Sequence, residues 1–307
     1  MMPFFDAAAI ARLVQPEQAV DAIEAALRGG LDPAAGIARS SVPLPAGELL
    51  LMPAWSPSHA GVKLASIAPG NAALGLPRIN AVYVLFDGPT LQPVAMLDGS
   101  ALTTLRTPAV SVAAIRCRLG ADPLRLLVFG AGPQGRAHIA TLAAVAELST
   151  VDVVVRSPDA VDGLPYRLLK AGSPSVVEAL RAADVVVCAT TARQPLFDSA
   201  LLADHATVIA IGSHEPDARE VDSALCRRAH VVVEDVATAL RECGDIILAI
   251  QEEALTADRL VPIRDVVRGT VAVGDGPLLF KGSGMAWQDL VVAEAVLAQH
   301  VNYPTYP

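Results

Sequence analysis

A glycine-rich segment of the chain, residues 130–135, has the spacing G-x-G-x-x-G. It follows an apolar run (Leu124 to Phe129) and opens a segment with the pattern of a helix, as a dinucleotide-binding turn requires. In such a turn Gly130 makes the tight bend, Gly132 lets the backbone approach a pyrophosphate, and Gly135 lets the helix pack on the strand. Backbone N–H groups at the helix start then bind the phosphates. The candidate cofactor-binding residues are Gly130, Gly132, Pro133, Gln134 and Gly135, with Thr190 after a later apolar run.

The end of the next apolar run, VDVVV, bears on the choice of cofactor. An enzyme specific for NAD places an Asp or Glu there, which binds the adenine ribose diol. This chain has Arg156 and Ser157 instead, a cation and a hydroxyl that suit a 2′-phosphate. Asp159 is close enough in sequence to bind the ribose if the loop folds differently. We therefore expect NADP(H), with NAD(H) as the alternative.

The segments around this turn predict a parallel sheet. Continuous apolar runs alternate with helical segments from the glycine motif onward, and this βαβ alternation is typical of strands covered on both faces. A Gly-rich turn in another kind of α/β protein is the alternative, but strand, helix and second strand are all present. We predict a Rossmann domain, a doubly wound parallel sheet, over residues 119–280.

The rest of the chain predicts a second, discontinuous α/β domain over residues 1–118 and 281–307. Residues 16–27 have a Pro and a Glu at the start, an apolar face and Gly29-Gly30 beyond the end, a pattern typical of an amphipathic helix. Short β-type runs separated by Gly, Pro and Asp follow between 40 and 97. A helix that Pro108 bends or restarts comes next. The final strand and helix are expected to rejoin this domain.

Composition excludes several classes of function. The formal net charge of −9 and the absence of Lys/Arg clusters argue against nucleic acid. The longest uncharged stretches, 49–62 and 64–77, are 14 residues each, whereas a membrane span needs ~18. The start of the chain lacks a basic leader, so we expect a cytoplasmic protein. The cysteines form no CxxC pair and the histidines no ligand spacing, which predicts buried reduced thiols and no metal.

Seven stretches together resemble the ornithine cyclodeaminase and mu-crystallin family, along nearly the whole chain. They are ARSSVPLP, LLMPAWS, VKLASIAPGN, VAMLDGSALTTLRTPAVSVAA, VFGAGPQGRAH, GSHEPDARE and FKGSGMAWQDL. The resemblance implies a Rossmann domain inserted between two pieces of a substrate-binding and dimerisation domain, and hence a homodimer. It also implies interconversion of amino acids and imines with a bound nicotinamide.

The resemblance places Arg39, Lys63 and Arg106 around the substrate carboxylate, although by sequence alone each would be a surface charge. Arg binds a carboxylate through two parallel hydrogen bonds, and a partly desolvated Lys63 could hydrogen-bond substrate or donate a proton. The same resemblance places Thr107 near the cofactor and Asp98 at the floor of the site. Capping of the following helix is an equal role for Asp98.

His214 marks a departure from the family pattern. Ornithine cyclodeaminases carry a catalytic Asp at the aligned position, whereas this segment resembles the mu-crystallin branch, whose members reduce cyclic ketimines. A histidine can act as acid or base near neutrality but offers no fixed anion to an ornithine ammonium. His214 is therefore a candidate catalytic residue or a polar loop residue, and Glu215 and Asp217 could supply the lost charge.

These observations predict an NAD(P)H-dependent oxidoreductase that reduces a cyclic ketimine, Δ1-pyrroline-2-carboxylate or Δ1-piperideine-2-carboxylate, to the L-imino acid. Lys63 and His214 are the catalytic candidates, and Arg39, Lys63 and Arg106 bind the substrate. The alternatives are ornithine cyclodeamination with recycled NAD, an open-chain amino-acid dehydrogenase, and a non-catalytic NADPH-dependent binder of small ligands.

Overall fold

A computed structural model of the chain describes residues 2–302. The backbone contains fourteen strands and ten α-helices within that part of the chain. The strands are β1 (Phe4–Phe5), β2 (Ser40–Leu44), β3 (Gly47–Trp55), β4 (His59–Ile67), β5 (Ile79–Asp87), β6 (Pro93–Asp98), β7 (Leu124–Phe129), β8 (Leu148–Val155), β9 (Arg167–Lys170), β10 (Val185–Cys188), β11 (Thr207–Ala210), β12 (His230–Val233), β13 (Leu260–Pro262) and β14 (Leu278–Lys281). The helices are α1 (Ala7–Leu13), α2 (Pro16–Arg28), α3 (Gly99–Ile115), α4 (Pro133–Val145), α5 (Pro174–Ala182), α6 (Ser223–Arg228), α7 (Val236–Glu242), α8 (Gly244–Gln251), α9 (Ile263–Val267) and α10 (Ala286–Asn302).

The chain divides into two units. Unit 1 consists of Met1–Val110 and Met285–Pro307, and unit 2 of Ser111–Gly284. These divisions fall at other residues than the predicted boundaries, 118/119 and 280/281. The first division falls inside α3, which runs through Pro108 as one helix, so no turn in the sequence marks it.

Unit 1 contains a six-stranded sheet in the order β1-β6-β5-β4-β3-β2. The ladders from β2 to β6 are antiparallel, and β1 pairs in parallel with β6. Helix α10 packs against β3 and β4. One face of the sheet carries a buried row in which Met52, Lys63, Tyr83 and Leu97 are successive cross-strand partners. The pleat therefore points Lys63 into the covered face of the sheet.

Helix α2 illustrates why the N-terminal pattern forms a helix. Pro16 occupies the first helical position, where its missing N–H is not needed, and the Gln15 N–H donates to Gln18 Oε1 at 2.8 Å. Gly29 ends the helix, and its N–H donates to the Ala25 carbonyl at 2.8 Å. Apolar positions three and four residues apart put one buried stripe on the core side, as predicted.

Unit 2 contains an eight-stranded sheet in the order β13-β12-β14-β11-β10-β7-β8-β9, and each pairing is parallel. The central strands β10, β11 and β14 are buried at every residue, which explains their continuous apolar sequences. Strand β7 lies between β10 and β8, so the chain order reverses at β7. The carboxyl end of β7 is therefore the switch point at which doubly wound folds bind ligands. The predicted fold class is confirmed.

Other predictions concern the cysteines, membrane spans and metal ligands. All four cysteines are free thiols and three are buried, but Cys117 is exposed on the short turn after α3, so its predicted burial is wrong. Within residues 2–302 no helix has the length and apolar character needed to cross a membrane. No group of three or more His, Cys, Asp or Glu side chains in the described part of the chain could hold a metal ion.

Candidate functional site

Lys63 lies in a buried polar cluster of unit 1 and is 3% exposed. Its ammonium donates to Asp289 Oδ2 on α10 at 2.8 Å and to Thr103 Oγ1 on α3 at 3.2 Å. The Thr103 hydroxyl donates to the Gly99 carbonyl at 2.7 Å, which leaves its oxygen free to accept from Lys63. An ammonium has three N–H groups. One N–H of Lys63 thus has no partner among residues 2–302.

Arg106 lies on α3 within the same cluster and is 6% exposed. Its Nη1 donates to Gln288 Oε1 at 2.5 Å. Its Nε lies 3.3 Å from Asp289 Oδ1 without hydrogen-bond geometry. The guanidinium has five N–H donors in a planar fork, more than its hydrogen bond to Gln288 uses among the described residues, so it can also bind an anion with two acceptor atoms.

Arg39 lies half-buried just before β2, and its charge acts on Lys63. Burial lowers the pKa of Lys63 to about 8, with Asp289 opposing the change and the positive charges of Arg106 and Arg39 adding to it. The structure thus brings together the three predicted cations. It also adds Asp289 and Gln288, which the sequence interpretation missed. Two adjacent polar residues within an otherwise apolar helical run were the available signal.

Two further predicted residues are Asp98, which directly precedes α3, and Thr107, which follows Arg106 on that helix. Asp98 Oδ1 accepts from the N–H groups of Ser100 and Ala101, each at 2.9 Å, so this carboxylate caps α3. Thr107 is half-buried on α3 directly after Arg106. Its role toward the cofactor stays a prediction.

The glycine turn of unit 2 has the conformation that its sequence predicts. Gly130 has φ +106°, a left-handed conformation suited to glycine, and a Cβ there would lie 2.5 Å from the Ala189 carbonyl oxygen. A Cβ on Gly135 would lie 2.0 Å from the Gly130 carbonyl oxygen, so the helix approaches the strand closely. A Cβ on Gly132, the N-cap of α4, meets nothing within 4 Å.

The residues at this turn fit a dinucleotide. Gly132 faces open space, where a pyrophosphate could approach the N–H groups at the start of α4. Pro133 is the first residue of that helix and is exposed. Gln134 Oε1 is buried and accepts no hydrogen bond from the described residues. Open space in front of the N–H groups at the start of a helix is the arrangement expected for a bound phosphate.

His138, one turn into α4, is fully buried and takes part in packing. Its Nδ1 lies 2.8 Å from the Gln134 carbonyl oxygen and its Nε2 lies 3.0 Å from the Ser111 hydroxyl. Burial lowers the pKa of His138 to about 4, so the ring is neutral at physiological pH. A neutral ring donates from Nδ1 to the carbonyl and accepts from Ser111.

The loop after β8 exposes the residues predicted to select the cofactor. Arg156 and Ser157 directly follow this strand and are both exposed. Asp159 lies in the next turn, which is closed by the Ala160 N–H donating to the Ser157 carbonyl at 3.1 Å. The structure keeps both predicted candidates, the cation and the carboxylate, on one loop.

Thr190 follows β10 and belongs to a buried polar network. Its N–H and its hydroxyl each donate to Glu220 Oε1 at 2.8 Å, and the Gly212 N–H donates to Glu220 Oε2 at 2.7 Å. Glu220 is fully buried, and burial raises its pKa, with Lys281 opposing the change. One carboxylate thus ties together the loops that follow β10 and β11.

Lys281 completes this network from the end of β14. Its ammonium lies 2.8 Å from Asp245 Oδ2 and donates to the Ser213 carbonyl at 2.7 Å, and both side chains of the ion pair are fully buried. Burial lowers the pKa of Lys281, but the charges around it, chiefly Asp245, raise it by more. Sequence interpretation missed Glu220, Asp245 and Lys281. A lysine that ends a wholly buried strand was the available signal.

His214 is exposed on the loop after β11. The nearby carboxylates that could replace the missing Asp are not free. Arg193 Nη1 lies 2.5 Å from Glu215 Oε2, and its Nη2 lies 2.5 Å from Asp217 Oδ2. A catalytic role for His214 stays a prediction.

Comparison with known proteins identifies the family. The model of the ornithine cyclodeaminase/mu-crystallin family matches residues 4–302. A Δ1-pyrroline-2-carboxylate/Δ1-piperideine-2-carboxylate reductase from Azospirillum brasilense is 34% identical over 302 residues, which cover 94% of this chain and 93% of that protein. A solved structure of a probable ornithine cyclodeaminase from Bordetella pertussis Tohama I is 29% identical with a TM-score of 0.87, covering 100% of this chain and 99% of that one.

The fold has a further match in the Thermococcus litoralis Δ1-pyrroline-2-carboxylate reductase in complex with NADH and L-proline. It is 24% identical, with a TM-score of 0.88 over 99% of this chain and 98% of that one. At this identity the likeness shows the fold alone. Because the family model spans nearly the whole chain, the protein belongs to the ornithine cyclodeaminase/mu-crystallin family.

Proposed function

We propose that the protein is an NAD(P)H-dependent reductase of cyclic α-imino acids, acting on Δ1-pyrroline-2-carboxylate or Δ1-piperideine-2-carboxylate. The observation that carries the proposal is the buried cluster of Lys63 and Arg106, with Arg39 close enough to perturb Lys63. A cluster with excess positive charge suits a small carboxylate. The Azospirillum brasilense relative, named for these two substrates, supports the same assignment.

The chain's own residues would bind the carboxylate and supply a proton. Arg106, whose five N–H donors exceed those used by its described partners, and Arg39 would hold the substrate carboxylate. Lys63, with one N–H left, would donate to the imine nitrogen. When bound, the reduced nicotinamide supplies a hydride to C2. Lys63 would supply the proton that the imine nitrogen gains when the C=N double bond becomes a single bond.

A lysine pKa near 8 suits this role. At neutral pH most of the Lys63 side chains carry the proton, yet the proton is released more readily than from an ordinary lysine. General acids work best with a pKa close to the working pH. The burial that lowers this pKa also excludes water from the charged groups, which strengthens their interaction with an anion.

For the cofactor we propose NADP(H) over NAD(H). The open space at Gly132 supports a dinucleotide at the start of α4. Exposed Arg156 and Ser157 at the end of β8 support a 2′-phosphate ligand. Asp159 on the same loop is the residue that would support NAD(H) instead.

We propose a homodimer, formed through the uncovered face of the unit 1 sheet. This face carries a ladder of apolar cross-strand partners, Leu51, Leu64 and Val82, and a second pair, Val62 and Val84. Leu64 is 36% exposed and the others are half-buried. Contiguous apolar surface of this kind marks a protein interface. The cytoplasmic location stays a prediction.

The test measures oxidation of NADPH and NADH with Δ1-pyrroline-2-carboxylate, beside two incubations that probe the alternatives. One supplies L-ornithine and assays proline and ammonia, and the other supplies pyruvate with ammonia. We expect rapid oxidation with the ketimine alone. Proline and ammonia without net cofactor loss would establish cyclodeamination, oxidation with pyruvate an open-chain dehydrogenase, and ligand binding without turnover a binder.

A variant pair ties the activity to the cluster. Arg106→Gln removes a buried cation, and we expect kcat/KM for the ketimine to fall about 10²- to 10³-fold, the size of losing one partner of a buried charged hydrogen bond. Arg12→Gln makes the same charge change at an exposed position of α1 and serves as the control. Equal activity of the two variants would show that Arg106 does not bind the substrate.

A further inference from the structure

Asp289 is a buried carboxylate that the proposed reaction does not use directly. It lies in the first turn of α10 and is fully buried. Oδ2 accepts from Lys63 Nζ at 2.8 Å, and Oδ1 lies 3.3 Å from Arg106 Nε. Both oxygens therefore face cations of the candidate site.

We propose that Asp289 is a positioning residue for imine reduction, whose carboxylate holds the Lys63 ammonium in place and supplies its counter-charge inside the fold. This inference rests on the proposed function. It assigns Asp289 no contact with the substrate, because both of its oxygens are directed at Lys63 and Arg106.

The two contacts of Asp289 are unequal, and the difference separates the roles of the two cations. The contact with Lys63 is a hydrogen bond, whereas the contact with Arg106 lacks hydrogen-bond geometry. Arg106 is instead anchored by the neutral amide of Gln288. Adjacent residues of α10 thus hold Lys63 by a charged hydrogen bond and Arg106 by a hydrogen bond to a neutral amide, with a weaker ion-pair contact to Asp289. Arg106 therefore shares the charge of Asp289 with Lys63 and keeps N–H groups for the carboxylate of a substrate.

Charges around Lys63 support this division. Every contribution that raises the pKa of Lys63 comes from Asp289, whereas burial, Arg106 and Arg39 all lower it. Without Asp289 the ammonium would be buried beside two positive charges, which favours the neutral amine. The polar groups that face Lys63 are Thr103 and Arg106 on α3, Asp289 on α10, Tyr83 on β5 and Arg39 before β2.

Two isosteric variants of α10 test the proposal. Asp289→Asn removes the carboxylate that binds Lys63. Glu294→Gln removes a carboxylate on the same helix that accepts from the Ser56 hydroxyl at 2.6 Å and contacts His59 at 3.1 Å. For each variant kcat/KM with the ketimine is measured between pH 5.5 and 9.5. The ratio to wild type cancels the titration of the substrate itself.

We expect the wild type to lose activity above about pH 8, as Lys63 loses its proton. In Asp289→Asn the alkaline limb of the pH profile, where activity falls, should lie about 1 to 3 pH units lower. This is the usual effect of one close opposite charge. At pH 7.5 that shift corresponds to a loss of about 3- to 200-fold, which acidification partly restores. Glu294→Gln should keep the wild-type limb. A loss in Asp289→Asn by the same factor at every pH would overturn the proposal.

A second measurement needs no substrate. Lys63 has a lower pKa in the folded protein than in the unfolded chain, and Asp289→Asn lowers the folded value further. Between the two folded values the variant binds fewer protons than the wild type, so its stability rises more steeply with pH. The difference in unfolding free energy between wild type and Asp289→Asn should therefore be larger at pH 6 than at pH 9. An equal difference at both values would overturn the proposal.

The activity and stability measurements together distinguish a failure of the proposed function from a failure of the proposed role of Asp289. If the wild type does not reduce ketimines, the proposed function fails, whereas the stability difference still decides whether Asp289 sets the charge of Lys63. Should Asp289→Asn not fold, Asp289→Glu replaces it. This variant keeps the counter-charge but moves it, so kcat should fall while the limb stays near the wild-type pH. A displaced limb in Asp289→Glu would contradict the role of the charge.

Discussion

Two glycines of the dinucleotide turn should respond to the same substitution in opposite ways. Gly132 caps α4 with φ −73° and ψ −177°, angles that alanine adopts, and an added Cβ meets nothing within 4 Å. Gly135 is buried inside the helix, and an added Cβ would lie 2.0 Å from the Gly130 oxygen and 3.3 Å from Val128 Cγ1. Gly132→Ala should therefore affect ligand binding, and Gly135→Ala the fold.

The magnitudes follow from these distances. The methyl of Gly135→Ala must move by more than 1 Å to reach the 3.4 Å of ordinary contact, and such overpacking costs about 1–3 kcal/mol. Alanine recovers up to about 1 kcal/mol through its helix propensity, which leaves a net loss of about 1–2 kcal/mol. For Gly132→Ala, the lower entropy of the unfolded chain offsets the poorer N-cap, so we expect a change within about 0.5 kcal/mol.

Gly132→Ala, which should hardly change stability, should weaken cofactor binding. A methyl on Gly132 would occupy the space through which phosphate approaches the α4 N–H groups. We expect NADPH binding at least about tenfold weaker, or about 1.4 kcal/mol. Urea unfolding of the cofactor-free protein measures the stability, and nucleotide fluorescence measures the affinity. Wild-type affinity in Gly132→Ala would refute the placement of the phosphates. Wild-type stability in Gly135→Ala would refute the steric argument.

Three other substitutions test separate parts of the structure. Arg156→Asp should shift the ratio of NADPH to NADH affinity toward NADH, and an unchanged ratio would remove that residue from cofactor selection. Lys281→Met should lower the unfolding free energy, measured by urea unfolding, by about 3–5 kcal/mol, because it leaves buried carboxylates without their cation. The control Arg167→Met removes an arginine that is 63% exposed in its ion pair and should cost at most about 1 kcal/mol. Leu64→Glu should produce a monomer in light scattering, whereas Leu240→Glu, at a 40% exposed position of unit 2, should not. A Leu64→Glu dimer would place the interface elsewhere.

The part of the fold that the sequence predicts well is governed by local constraints. The turn at Gly130 needs a positive φ, and the approach of α4 to β7 at Gly135 excludes a side chain. Both demands act within a few residues, so the spacing of the glycines reveals them. The parallel sheet is equally visible, because strands buried on both faces require uninterrupted apolar residues.

Long-range contacts are the part that the sequence does not reveal. Lys63 and Asp289 lie 226 residues apart and meet only because α10 packs against β4. Composition and periodicity mark α10 as a helix, but they do not specify which strand faces Asp289. The boundary between the units was hidden for another reason: α3 continues across it without a break. Resemblance to the family brought Arg39, Lys63 and Arg106 together, but not their carboxylate.

The position of Asp289 also bears on the choice between imine reduction and ornithine cyclodeamination. Sequence comparison suggested that a carboxylate was lost where His214 stands, and Asp289 is a carboxylate within the cation cluster. It is not free to bind the ammonium of ornithine, because its oxygens face Lys63 and Arg106. The acids beside His214 are likewise held by Arg193. A cluster whose own carboxylate is already paired favours a substrate with one anionic group and no second cation, as a cyclic imino acid has.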